Sequence, residues 1–78
     1  MMLKEFVEYI VGVLIGDKQE VNVQVTQKEN GASVIIYVSK ADIGKVIGKG
    51  GKTIKSIRSS LAALTSENIA VDVFTKDA

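Results

Sequence analysis

Five consecutive residues, Gly48-Lys49-Gly50-Gly51-Lys52, hold the most distinctive chemistry in the sequence. The three glycines strip side chains from a sharp backbone bend, so a ligand can lie directly against the main chain. Ile54, Ile57, Leu61 and Leu64 then recur at helical spacing. The bend therefore precedes a helix, whose first N–H groups lack partners within it and carry partial positive charge. Lys49 and Lys52 add ammonium groups at the same place. Bare amides beside cations suit a phosphate, and several such positions in succession suit a phosphodiester chain.

The charge distribution points the same way. The formal net charge is only +1, yet from Lys40 to Arg58 there are six bases (Lys40, Lys45, Lys49, Lys52, Lys55, Arg58) and one acid, Asp42, which makes that segment +5. The flanking stretches, 1–39 and 59–78, are each −2. A lysine run alone reads as a solvated face, whereas a basic cluster on a glycine bend is the footprint of a nucleic-acid site.

Other chemistries lack their residues. The chain has no cysteine and no histidine, which removes disulfides, thiol nucleophiles and the commonest metal ligands and fits a reducing cytoplasm. Glu5, Glu8, Glu20, Glu29, Glu67 and Asp72 stand at polar positions, and no two share a motif or an expected pocket, so no enzyme activity and no cofactor are expected. Gly50-Gly51-Lys52-Thr53 carries the tail of a nucleotide-triphosphate P-loop. That motif needs a glycine where Val46 stands and a strand where Val46-Ile47 follow a helical pattern. Lys4, Glu5 and Glu8 interrupt the first apolar stretch, so neither an export signal nor a membrane span is expected.

The elements that position the bend follow from periodicity. Leu3, Phe6, Val7, Ile10, Val13 and Leu14 form one helical stripe, which Gly16-Asp17 ends, with Gly12 weakening the final turn. Val21, Val23 and Val25 alternate with polar residues as a strand. Asn30-Gly31 supplies the positive φ of a tight hairpin, and 33–38 form a second strand, apolar on both sides and therefore either central or with one face on the core and the other lining a groove. Ser39 to Asp42 reads as a capping box before a short helix on Ile43, Val46 and Ile47 that stops at Gly48. A longer helix spans about 51–65, with Ile54, Ile57, Leu61 and Leu64 inward and Ser59, Ala62 and Ala63 as a small-residue outer face. Ile69, Val71 and Val73 mark a third strand, and 75–78 are expected to be loose. The order αββααβ makes a single α+β domain of 78 residues, one mixed three-stranded sheet with three helices on one face.

Val46-Ile47-Gly48-Lys49-Gly50-Gly51-Lys52-Thr53-Ile54 resembles the core signature of the KH domain: an apolar pair, then G-x-x-G, then an apolar residue three positions later. The element order is similar to the type II KH arrangement, and the chain's limits to the small bacterial stand-alone KH proteins of the KhpA type. The resemblance implies that Gly48, Lys49, Gly50 and Gly51 clamp about four nucleotides of single-stranded RNA or DNA. Lys45, Lys52 and Lys55 then lie beside the backbone. Bases lie against Ile43, Ile47 and Ile54 on one wall, isoleucines the core also needs, and a strand on the other. With Phe6, Tyr9, Tyr37 and Phe74 as the whole aromatic complement, a platform of stacking rings on adjacent strands is not expected. A grip on so few nucleotides is weak and salt-sensitive, so useful specificity needs multivalency. The resemblance implies a homodimer and a heterodimer with a larger KH-containing RNA-binding protein, acting in post-transcriptional regulation or as an RNA chaperone. The competing expectation is an interaction module that scaffolds a partner, with nucleic-acid binding incidental.

Overall fold

Leu3–Ile15 forms the first helix, α1, in a computed structural model that describes residues 3–16 and 21–76. Gly16 ends it with a φ of +80°, which a side chain would oppose, and its N–H donates to the Gly12 carbonyl at 2.7 Å. Asp17, expected to share in that stop, and the acid Glu20 lie outside the described residues. The buried stripe departs from the expected one in the second half of the helix. Val7, Val11, Gly12 and Ile15 are buried, Leu3, Phe6 and Ile10 pack at the margin, and Val13 is 65% exposed. From Ile10 to Ile15 no side chain is polar, so periodicity offers no wet face to set the helix rotation and packing on the sheet sets it. Gly12 does not shorten the helix.

Strand β1 (Asn22–Lys28) pairs antiparallel with β2 (Gly31–Val38), Lys28 facing Gly31 across a two-residue loop of Glu29 and Asn30. Neither Asn30 nor Gly31 has a positive φ, so this is not the left-handed turn that the Asn-Gly pair signals. Gly31 is needed for a different reason. A Cβ there would stand 2.7 Å from the carbonyl carbon of Asn68, and closer still to its oxygen. β2 is central, in the order β1-β2-β3. Val34, Ile36 and Val38 are wholly buried, while Ser33, Ile35 and Tyr37 are half-buried on the opposite face.

Between β2 and β3 the chain makes α2 (Ile43–Ile47), a single 3-10 turn (Lys49–Gly51) and α3 (Lys52–Thr65). This crossover returns β3 (Asn68–Thr75) parallel to β2, which a connection of this length permits. The capping box is replaced by a side-chain pair. Ser39 Oγ donates to Asp42 Oδ2 at 2.9 Å, and the Ser39 carbonyl accepts the Asp42 and Ile43 N–H groups at 3.0 and 3.1 Å. At the far end α3 closes on Ser66 in the left-handed region, φ +58°, with its N–H on the Ala62 carbonyl at 2.8 Å. Leu64, expected inward, is 59% exposed, and lines a cavity of about 240 Å³ with Leu3, Phe6, Leu61 and Thr65. The chain beyond β3 is not loose at its start, since the Lys76 N–H donates to the Val38 carbonyl at 3.0 Å. Asp77 and Ala78 lie outside the described residues.

The core draws Val7, Val11 and Ile15 from α1, Val23, Val34, Ile36 and Val38 from the hairpin, and Val46, Ile57, Leu61 and Ile69 from the crossover and β3. Among the described residues no polar side chain is buried with it. The architecture is the expected α+β, αββααβ type II KH arrangement, a mixed three-stranded sheet with its helices on one face.

Candidate nucleic-acid interface

The three glycines of the corner divide its work. Gly48 has φ +77° and ψ 169°, and its N–H closes α2 on the Gly44 carbonyl at 2.9 Å. A Cβ on it would meet the Thr53 Cβ at 2.7 Å and the Thr53 nitrogen at 2.9 Å, so it serves internal packing. Gly50 and Gly51 are left-handed, at φ +65° and +78°, and a Cβ on either would have nothing within 4 Å. Their bareness faces open space. The turn is held by the Gly51 N–H on the Gly48 carbonyl at 3.0 Å. No side chain caps the start of α3, which leaves the positive end of that helix to an outside acceptor. Lys49 and Lys52 are exposed on either side.

Ile47, just before the corner, and Ile54, in the first turn after it, line one cavity of about 290 Å³ with Lys55, Arg58, Val71, Asp72 and Val73. One wall is thus the helical corner and the other is β3, an edge strand whose outer backbone has no neighbour in the sheet. Arg58 is shared with a larger cavity of about 560 Å³ that continues toward the start of β3 and the hairpin loop. Ser59 and Ala62 line this larger cavity; of the small residues expected on an outer face, Ser59 and Ala63 are exposed and Ala62 is half-buried. Glu29 and Glu67 also line it, bringing together two carboxylates that share no motif.

Two expected contact residues stand apart from the cavity. Ile43 packs at the core margin. Lys45 pairs with Asp42, Nζ to Oδ1 at 3.4 Å, on the surface. No carboxylate among the described residues pairs with Lys49, Lys52, Lys55 or Arg58. Sequence reasoning missed Arg58, Val71, Asp72 and Val73 as lining residues. Arg58 was within reach, because it follows Ile54 by one helical turn and shares its face. The β3 residues had no local signal, since their place depends on the parallel register with β2. Among the described residues no helix is long and apolar enough to cross a membrane.

The family model for the KhpA/KhpB KH domain matches residues 4–73. The chain belongs to the KhpA/KhpB KH-domain family. This KH domain is 44% identical over 75 residues to the RNA-binding protein KhpA of Chlamydia trachomatis, a match covering 91% of this chain and 92% of that one. It is 45% identical over 69 residues to the Chlamydia pneumoniae protein of the same name, with 85% of each covered. Against KhpA of Mycobacterium tuberculosis the identity is 34% over 71 residues, covering 91% and 89%. Among solved structures, Aquifex aeolicus Era bound to GDP and tetrafluoroaluminate superposes with a TM-score of 0.64 at 17% identity. That match spans 92% of this chain and 29% of the Era chain, and it is a likeness of fold.

Proposed function

We propose that this KH domain binds single-stranded RNA without catalysing a reaction. The sugar-phosphate backbone lies across Gly48, Lys49, Gly50 and Gly51, and bases enter the cavity between Ile47 and Ile54 on one side and Val71 and Val73 on the other. Lys52, Lys55 and Arg58 flank the path, and Lys45 contributes only as its pair with Asp42 opens. The observation that carries this reading is the open space over Gly50 and Gly51, directly beside an apolar-walled cavity that Lys55 and Arg58 also line, neither paired with a carboxylate among the described residues. The chain's relatives, named as RNA-binding proteins, support the same ligand. Phosphate contacts position a strand without reading it, so the domain acts in the cytoplasm as one arm of a multivalent assembly, a homodimer or a heterodimer with a larger KH-containing protein. Its role there is that of a post-transcriptional regulator or RNA chaperone.

Exposed Val13 and Leu64 favour a second reading, in which the domain scaffolds a protein partner through its helices. One double substitution separates the two. Lys49→Asp with Gly50→Asp puts two carboxylates where phosphates would lie. Position 50 has room for the side chain, and aspartate tolerates the left-handed region at a cost of about 1 kcal/mol. The variant is expected to stay folded, with Tm lower by no more than about 8 °C, and to lose binding to short single-stranded RNA. A folded variant that binds as well as the wild type overturns the proposal. The same oligonucleotide as DNA measures the contribution of the 2′-hydroxyl.

A further inference from the structure

The face of the sheet turned away from the helices carries an aromatic pair. Tyr37 of β2 and Phe74 of β3 are register partners, and their ring centroids are 6.1 Å apart with planes inclined by 33°. Phe74 is 51% exposed and Tyr37 half-buried. Half of the chain's four aromatic residues therefore sit side by side on adjacent strands, the arrangement its aromatic count argued against. At that spacing and tilt the rings touch without covering each other, and a surface of Phe74 remains open.

This pair is continuous with the groove. Val73 lines the cavity beside Ile47 and Ile54, and the next residue along the strand is Phe74. Successive side chains on a strand point to opposite faces at about 3.3 Å per residue. The cavity and the rings are thus the two sides of one edge strand, with no strand among the described residues paired to its outer margin. Lys40 is exposed just beyond the end of β2, and Lys76 continues β3 two residues past Phe74, tied to Val38 through its backbone N–H. Positive charge lies at the same end as the rings.

We propose that Phe74, backed by Tyr37, is a second contact for the bound strand, where a base leaving the groove over the β3 edge stacks on the phenyl ring. This rests on the single-stranded RNA reading above. Base–aromatic stacking of this kind tolerates any base, because every base has a π-face. The rings therefore lengthen the footprint without adding sequence preference.

The test compares RNA of four and of eight nucleotides on the wild type, Phe74→Ala and Phe74→Leu, with thermal unfolding as the folding control. The expected result is about a tenfold weaker affinity for the eight-nucleotide RNA in both variants, with the four-nucleotide affinity unchanged. Leucine keeps apolar bulk and loses the π-face, so it carries the test should alanine unfold the domain. In a Tyr9→Phe background Tyr37 is the sole tyrosine in a chain without tryptophan, and the longer RNA should quench its emission more than the shorter. Undiminished eight-nucleotide binding in the folded variants overturns the inference and leaves the groove reading intact. An equal loss at both lengths also overturns it, as does an RNA-free self-association that Phe74→Ala abolishes, which would assign the face to a second copy. A wild type that binds neither length overturns the groove reading with it.

Discussion

Two lysines of the same basic segment should behave differently, and the difference can be worked out from their partners. Lys49, Lys52, Lys55 and Arg58 flank the corner and its cavity with no carboxylate partner among the described residues, whereas Lys45 is paired with Asp42 at 3.4 Å. Binding to a single strand releases counterions, and log K falls with log salt at about −0.7 per neutralised phosphate. With each of those cations meeting one phosphate, the slope is about −2.8, roughly a fiftyfold loss of affinity between about 50 and about 200 mM salt. Lys49→Gln should flatten the slope to about −2.1 and weaken low-salt binding. Lys45→Gln should leave the slope close to the wild-type value, because it removes a charge already answered within the protein. Fluorescence anisotropy of a labelled eight-nucleotide RNA at five potassium chloride concentrations measures all three slopes. Equal flattening by the two substitutions, or none by Lys49→Gln, would refute the assignment of phosphate contacts to the corner.

Stability offers two more expectations, both readable by thermal or urea unfolding. Val11→Ala empties a fully buried site on α1 and should cost about 2 kcal/mol, while Val13→Ala, two residues away and exposed, should change stability by less than about 0.5 kcal/mol; comparable losses would mean the helix is rotated from the face described. Gly31→Ala forces a methyl into the Asn68 backbone and should cost about 2 kcal/mol or more, a fall in Tm on the order of 10 °C. An unchanged Tm there would mean that the start of β3 does not lie against Gly31.

Local pattern alone determined the αββααβ order. The switch from a helical period to alternation at Val21, the apolar run through Val34, Ile35 and Ile36, and the glycines after Ile47 each act on neighbours in the chain, so they are legible without coordinates. The basic corner was legible for the same reason: its glycines and lysines are contiguous. Tertiary structure decided whatever depends on residues distant in the chain. It turned α1 to bury Val11, Gly12 and Ile15 and not Val13 and Leu14, because an almost wholly apolar half-helix has no polar face to fix its rotation. It gave Gly31 its purpose through Asn68, brought Val71 and Val73 across from Ile47 and Ile54, and set Phe74 beside Tyr37. These last three follow from the parallel register of β3 on β2. No local propensity encodes that register, because strand pairing matches side chains and backbone groups only after the two-helix crossover has folded back.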